Sequence, residues 1–122
     1  MENNMNKTNS VKVVVFVPVS DADELRQAIG EAGAGKIGDY SFCSFSSKGI
    51  GRFKPEAGAN PHIGSVGNTE SVEEERIEFV CDRDILDKVI EVIKKVHLYE
   101  EIALDVYPIE IFGVYNKKNG NR

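Results

Sequence analysis

The sequence feature that most limits the fold is a run of β-branched residues, Val11 to Val17 (VKVVVFV), which ends at Pro18. Because the run is short and rich in valine, it predicts a strand rather than a helix. Valines fill one face of this strand, and Val14 and Phe16 lie on the other face, so both faces are apolar. Such a strand belongs inside a sheet that is covered on both sides.

Two segments have the apolar spacing of amphipathic helices. The first covers residues 21–32, with Ser20 as its predicted N-cap and Gly33 as its stop signal. The second begins at Asp82 or Asp84 and carries an apolar stripe opposite a charged face. Each helix can therefore cover part of a sheet.

Three further segments have strand patterns bounded by turn residues. They are residues 40–46 with a short companion strand at 51–54, residues 71–81, and residues 103–112. The companion strand requires a turn at residues 47–49, so the pattern predicts a hairpin there. Pro108 inside the last strand predicts a sheet edge or a bulge. The acidic run Glu73 to Glu75 is predicted to be solvated.

The predicted order of elements is β, α, β, an inserted hairpin, β, α, β. Right-handed connections turn such a split β-α-β pair into a ferredoxin-like α+β sandwich, with both helices on one face of an antiparallel sheet. The two helices cover only one face of the Val11–Val17 strand. We expect the other face to be buried against further copies of the chain, because a large bare apolar patch is unusual on a monomer.

A glycine-rich stretch, Gly33 to Gly67, separates the two halves of this pattern. Nine of the eleven glycines fall between Gly30 and Gly67. A flexible linker would be plain Gly/Ser or charged, whereas this stretch carries aromatic and apolar side chains that lose free energy in water. It is therefore predicted to be a folded loop and hairpin.

The string from Gly33 to Gly38 (GAGKIG) fits the G-x-G-x-x-G pattern of dinucleotide-binding proteins. That motif needs a strand before it and a helix after it, so that the phosphate meets a helix N-terminus. Here a helix precedes and a strand follows. The string predicts a helix stop and a tight entry into a strand, with a phosphate-binding nest of backbone N–H groups as the alternative.

The 122 residues are the length of one domain. We place a disordered tail at residues 1–10, a single α+β domain at residues 11–115 and a polar tail at residues 116–122. The first of these segments has no apolar core and does not resemble a signal peptide.

Composition argues against two classes of partner. A formal net charge of −5 disfavours nucleic acid, because phosphate binding needs clustered Lys and Arg. No apolar run approaches the roughly 18 residues of a membrane span. Cys43 and Cys81 are predicted to be reduced, buried thiols, which favours the cytoplasm.

The segment His97-Leu98-Tyr99-Glu100-Glu101 places an imidazole and two carboxylates at the exit of the second helix. One interpretation is structural, with His97 at the negative end of the helix dipole and the carboxylates in surface or inter-subunit pairs. The other is a divalent metal held between subunits by His97, Glu100 and Glu101, because one histidine in a single chain does not complete a zinc site.

The remaining reactive side chains have no partner in the sequence pattern. Cys43 has no adjacent histidine, and His62 is a lone loop histidine that is predicted to be exposed. The sequence contains no Ser/His/Asp arrangement and no P-loop string. We therefore predict no catalytic residue.

Two separated motifs carry a family resemblance. The first is Gly33–Phe45, continued by Gly49–Pro55 and Gly58–Gly64, and the second is His97–Glu101. Together they resemble the NGG-interacting-factor-like family, specifically its inserted domain, which is similar in fold to PII signalling proteins and to CutA. The resemblance covers about residues 11–112 and implies a PII/CutA-like domain occurring as a free-standing chain.

The resemblance also implies a mode of assembly and a limit on activity. Domains of this kind associate around their sheets, often as trimers. The parent proteins carry a two-metal centre and have been linked to hydrolase-type activity, but their metal ligands sit in a flanking domain that we expect to be absent here. Leu98 and Ile102 stand where the family commonly has proline, so the backbone is freer at these positions.

The leading hypothesis is a non-catalytic homo-oligomer, most simply a trimer, that binds a small ligand, a metal ion or a protein partner in clefts between subunits. One alternative is a divalent-metal-binding or tolerance protein that uses His97, Glu100 and Glu101. Another is a hydrolase-related remnant acting on a nucleotide or cyclic amide. The ligand-binding candidates are Gly35, Lys36, Tyr40, Cys43, Phe53, His62 and Tyr99.

Overall fold

A four-stranded antiparallel sheet organises the computed structural model, which describes residues 7–113. Its strands are β1 (Lys7–Pro18), β2 (Phe45–Phe53), β3 (Glu70–Asp82) and β4 (Leu104–Glu110), in the spatial order β2-β3-β1-β4. Helix α1 (Val19–Glu31) follows β1, and a short 3₁₀ helix (Arg83–Ile85) leads from β3 into helix α2 (Leu86–Val96). The predicted α+β fold is confirmed.

The valines of β1 form the centre of the core. Val13 pairs with Phe79 of β3 and Val106 of β4, and Val15 pairs with Ile77 and Leu104 in the same way. Side chains from both helices close this face of the sheet, and the buried ones include Leu25, Ile29, Val89 and Ile93. Among residues 7–113, no helix combines the length and the apolar character needed to cross a bilayer.

The opposite face of the sheet, here called the open face, is mixed rather than apolar. Val14 is only 2% exposed and lies between its register partners Glu78 and Asp105. The guanidinium of Arg76 lies 5.8 Å from the ring centroid of Phe16. Arg76 also pairs with Glu78, with Nε 3.0 Å from Oε2. The expectation of two apolar faces therefore holds for β1 only in part, because Lys12 lies beside Val14 and Phe16 on the open face. β3 brings further charged side chains there.

The predicted hairpin within residues 40–54 is wrong. β2 runs straight through the predicted turn at residues 47–49 and pairs with β3 from Phe45↔Glu78 to Phe53↔Glu70. A continuous ladder with β3 satisfies the backbone groups of β2 that face β3 along its whole length. Gly51 lies inside this strand, and a Cβ at this position would collide with the carboxylate of Glu74 where it now lies.

Element ends differ from the predicted ends for identifiable reasons. α1 begins at Val19 directly after Pro18, and no side chain caps it, so the Ser20 N-cap is wrong. Asp82 does cap the next helical segment, because its Oδ1 accepts a hydrogen bond from the Asp84 N–H at 2.9 Å. Pro108 lies in the edge strand β4, where the register with β1 shifts, as its sequence context predicts.

The tails predicted at the two ends lie largely outside the described residues. β1 begins at Lys7, so residues 7–10 of the first predicted tail are part of a strand. Residues 1–6 and 114–122, which include the second predicted tail, are outside the described range.

The acidic run of β3 is buried in part, which corrects the prediction that Glu73 to Glu75 are solvated. Glu73 is exposed, whereas Glu75 is only 6% exposed and pairs with Arg26 of α1 on the helix side of the sheet. Arg26 also donates to the Ser46 hydroxyl at 3.1 Å. The hydrogen bond to Glu75 raises the pKa of Arg26, so the cation that neutralises this carboxylate stays charged.

Candidate functional site

A cavity of about 550 Å³ opens between two loops beside the end of β2. One side is formed by residues 54–63, which follow β2, and the other by residues 99–103, which follow α2. The sheet contributes Phe16, Gly51 and Glu74. Half of the sixteen lining residues are aromatic, proline or aliphatic, and most of the surface that faces the cavity is apolar.

The loop after β2 is folded, as the sequence predicts. The Gly67 N–H donates to the Pro55 carbonyl at 2.8 Å and closes the base of the loop. The Asn60 N–H donates to Oε1 of Glu100 at 2.9 Å and joins this loop to the segment after α2. These bonds hold the two sides of the cavity together.

His97 is a buried residue that connects β1 to the segment after α2 by hydrogen bonds. Its side chain is only 3% exposed, and its Nε2 lies 2.7 Å from the carbonyl oxygen of Phe16. A carbonyl can only accept, so Nε2 carries the proton and donates. Nδ1 accepts from the Tyr99 N–H at 3.2 Å. The ring is therefore the neutral Nε2–H tautomer, with both nitrogens engaged.

This geometry argues against His97 as a metal ligand within one chain. No nitrogen of His97 has a lone pair left for a metal, because Nδ1 already accepts and Nε2 donates. Glu100 and Glu101 are exposed at the cavity and are not gathered with His97. In the part of the chain from residue 7 to residue 113, no group of three His, Cys, Asp or Glu residues could hold a metal ion.

Tyr99 is half-buried and is held by three neighbours. Its ring lies 5.8 Å from Phe53 in an edge-to-face arrangement and 5.0 Å from the His97 ring. Its hydroxyl donates to Oε2 of Glu74 at 3.3 Å. Burial, together with the nearby Glu74 carboxylate, raises the pKa of Tyr99 to about 12. Tyr99 is therefore a protonated hydrogen-bond donor at neutral pH.

Glu74 is the functional candidate that sequence reasoning missed. It is only 9% exposed and lines the cavity. Tyr99 is the one partner of this carboxylate among the described residues, and it occupies Oε2, so Oε1 receives no hydrogen bond or ion pair from residues 7–113. In the sequence Glu74 lies within three consecutive glutamates. Strand alternation alone would have separated it from Glu75, but nothing local indicates that a loop covers it.

The predicted ligand-binding residues fall into two groups. Phe53, His62 and Tyr99 line the cavity, and Glu100 and Glu101 from the predicted metal set join them there. His62 is exposed at the rim, as predicted for a loop histidine.

The second group, Gly35, Lys36, Tyr40 and Cys43, does not line the cavity. The Gly35 N–H donates to Val80 O and its carbonyl accepts from the Cys43 N–H, both at 2.8 Å. That N–H is therefore not free to bind phosphate. A Cβ on Gly35 would collide with the Cys43 backbone, and the φ angle of Gly35 is +78°. The backbone therefore requires glycine at this position. Lys36 and Tyr40 are exposed.

The two cysteines differ in burial. Cys43 is half-buried rather than buried, which corrects its prediction, while Cys81 is buried as predicted. Burial raises the pKa of the Cys81 thiol, and the neighbouring Asp82 acts in the same direction. Cys81 is therefore a protonated core thiol at neutral pH.

The two hydrogen bonds of the His97 ring predict that the His97→Ala variant is less stable than wild type. The substitution leaves the Phe16 carbonyl and the Tyr99 N–H without their partner, and each unpaired buried group costs about 1 to 3 kcal/mol. We expect the free energy of unfolding to fall by about 2 to 4 kcal/mol in urea denaturation. His62→Ala, at the exposed histidine, is the control and should stay within about 0.5 kcal/mol of wild type. Equal losses in the two variants would contradict the role of His97.

The raised pKa of Tyr99 predicts a loss of stability at alkaline pH. The folded chain holds the phenol proton more tightly than the unfolded chain, whose pKa is the ordinary 10.0. The resulting stabilisation is complete below about pH 10 and is lost as the pH rises toward about 12. The difference in unfolding free energy between wild type and Tyr99→Phe should therefore be constant at neutral pH and shrink as the pH rises from about 10 toward about 12. Tyr40→Phe, at a tyrosine that is 75% exposed, should parallel wild type; a constant Tyr99→Phe difference would refute the assignment.

Known proteins similar in sequence to this chain are much longer than it is. A protein of Halalkalibacterium halodurans named GTP cyclohydrolase 1 type 2 homolog is 52% identical over 98 residues, which are 80% of this chain and 26% of that protein. The Bacillus subtilis protein of the same name is 50% identical over 99 residues, which are 81% of this chain and 26% of that protein. The chain thus spans about a quarter of the length of these relatives. No protein-family model matches the chain.

Solved structures share the fold. A Bacillus cereus protein related to NIF3 is 50% identical with a TM-score of 0.71 and covers 82% of this chain, which spans 25% of it. CutA of Archaeoglobus fulgidus has a TM-score of 0.63 at 17% identity, covering 86% of this chain and 87% of CutA. For Bacillus subtilis GlnK, also solved in complex with ATP, the TM-score is 0.55 at 21% identity, covering 82% and 84%. The chain therefore has the α+β fold of CutA and GlnK, and most of its length is similar to one part of the longer NIF3-related proteins.

Proposed function

We propose that this chain is the PII/CutA-like part of the NIF3-like family and acts as a non-catalytic homo-oligomer that binds a small molecule in its cavity. The observation that carries the proposal is the cavity itself, at about 550 Å³ with a largely apolar lining. Small-molecule sites are concave, mainly apolar and about 300 to 1,000 Å³ in volume. The identity of 52% to one segment of longer relatives supports the family assignment.

The chemistry of the lining supports binding rather than catalysis. The neighbouring imidazole of His97 has both nitrogens engaged with the backbone. The hydroxyl of Tyr99 donates to Glu74 and has a raised pKa, so it is a poor general base at neutral pH. The cyclohydrolase name belongs to relatives of which the matched segment is 26%, and fold likeness alone does not transfer an activity.

Homo-oligomer formation through the open face is the second part of the proposal. Phe45 and Tyr107 lie on this face with 67% and 47% of their surface exposed. The same face carries charges of both signs, from Lys12, Arg76, Glu78 and Asp105. A surface that mixes aromatic rings with both signs of charge can match a second copy of itself. We propose a trimer, in the cytoplasm, where the free thiols of Cys43 and Cys81 would stay reduced.

Cavity binding is tested with Nile red, a neutral apolar dye. We expect its fluorescence to rise on titration with wild-type protein and to stay near the free-dye level with Ala59→Trp, because Ala59 lines the cavity and an indole would fill it. Ala57→Trp places the same indole at an exposed position of the same loop and is the matched control. An equal response from both variants would refute binding in the cavity.

Assembly is tested by light scattering. Wild type should have a mass three times that of the 13.5 kDa chain, and a Phe45→Asp/Tyr107→Asp variant should dissociate because both carboxylates fall on the open face. Ile50→Asp is the matched control, since Ile50 is 50% exposed on the opposite side of β2. A wild-type mass of one chain at micromolar concentration would overturn the oligomer.

A further inference from the structure

We infer that the cavity selects an organic cation, a protonated amine carried on an apolar body, with Glu74 as its anionic anchor. The inference rests on the proposed small-molecule function and names the ligand class of that same site. Four observations carry it: the burial of Glu74, its free oxygen, the aromatic walls and the balance of charge around the cavity.

The Glu74 carboxylate is buried, and no cationic side chain of the described residues pairs with it. It is 9% exposed, and Tyr99 supplies a neutral hydroxyl to Oε2 only. Arg76, two residues along β3, pairs instead with Glu78 and lies over Phe16. Burying an unpaired charge costs free energy unless a partner replaces the lost water. A ligand ammonium group at Oε1 would supply that partner.

Glu74 packs against a glycine of the neighbouring strand. Oε1 lies over the backbone of Gly51, where any Cβ would collide with it. The glycine therefore leaves room for the carboxylate to lie against β2 at the cavity. By contrast Glu75, the next residue, faces α1 and has Arg26 as its own cation. Of these two adjacent carboxylates, one is neutralised by a side chain that the structure describes and the other is not.

Aromatic rings form the walls on which the apolar body and the charge of such a ligand would rest. Phe53 and Tyr99 meet edge to face, with an interplanar angle of 62°, so the two rings form a corner of the cavity. Ring faces attract cations within about 6 Å of the centroid. A carboxylate beside an aromatic corner is a combination suited to an alkyl- or arylammonium group.

The charges on the lining favour a cation over an anion. Four carboxylates line the cavity, from Glu56, Glu74, Glu100 and Glu101. The cationic side chains on the lining are Arg52 and Lys54. They are exposed, as are Glu56, Glu100 and Glu101, so solvent screens all of these charges and Glu74 is the buried charge of the lining. A polyphosphate such as that of ATP, the ligand in one GlnK structure, would meet the buried Glu74 carboxylate and be repelled.

The experiment compares three probes that share one apolar body and differ in charge: phenethylamine, phenethyl alcohol and 3-phenylpropionate at pH 7. Binding to the full chain is followed by the shifts of backbone amides in residues 51–63 and 99–103. We expect phenethylamine to bind at least about tenfold more tightly than the alcohol, and the acid to bind more weakly than either.

Two variants locate the selectivity. Glu74→Gln keeps the shape of the side chain and removes its charge, so the affinities for phenethylamine and the alcohol should come within about threefold of each other. Glu73→Gln removes the neighbouring charge, which is exposed on the other side of β3, and should keep the wild-type ratio. If Glu74→Gln fails to fold in a thermal melt, the ranking of the probes by wild type decides the question alone.

Equal affinity of wild type for all three probes would overturn the cation selectivity while leaving small-molecule binding in place. Tighter binding of 3-phenylpropionate would overturn it in favour of an anion site. No amide shift with any probe would overturn both the ligand class and, together with a flat Nile red titration, the proposed function. A preference for phenethylamine that Glu73→Gln and Glu74→Gln reduce equally would also refute the role of Glu74.

Discussion

The two hydrogen bonds of the His97 ring fix the relation between the sheet and the cavity. In an antiparallel strand the N–H and C=O of one residue point to the same side. The Phe16 N–H donates to Ala103 O at 3.1 Å, so its carbonyl also points toward β4, which begins only at Leu104. His97 supplies the missing donor and, through Nδ1, holds the Tyr99 backbone. The cavity wall after α2 therefore depends on one imidazole that satisfies the end of a ladder.

The alternation of β3 divides two adjacent glutamates between opposite layers. Glu75 faces α1 and pairs with Arg26, where it joins the core. Glu74 faces the loops, and from the described residues it receives only the Tyr99 hydroxyl. Both carboxylates are removed from water, but among residues 7–113 only the first has a cationic partner. The same acidic segment thus helps to pack α1 against one side of the sheet. On the other side it leaves a buried carboxylate without a cationic partner among the described residues.

Local sequence patterns predicted the main strands and helices, whereas features that depend on distant pairing were missed. The valines of β1 predicted a central strand because periodicity and β-branching are local properties. Phe53, Tyr99 and Glu100 were predicted as site residues from segments far apart in the chain, and the cavity unites them. The hairpin was wrong because Gly49 indicated a turn, whereas the long pairing with β3 governs that segment. Glu74 was missed because its burial comes from loops that no local pattern positions over it.

The fold is shared with distant proteins, whereas the lining of the cavity depends on the individual side chains of this chain. The sheet and helices are shared with CutA and GlnK at identities of 17% and 21%, so this architecture accepts very different side chains. A fold that tolerates such divergence does not determine a ligand. The cavity lies mainly in loop segments, at residues 54–63 and 99–103, and its chemistry is set by side chains that the architecture leaves free to vary. If the cavity binds a ligand as proposed, its specificity depends on the Glu74 carboxylate and on the corner formed by Phe53 and Tyr99. It does not depend on the sheet and helices that hold them.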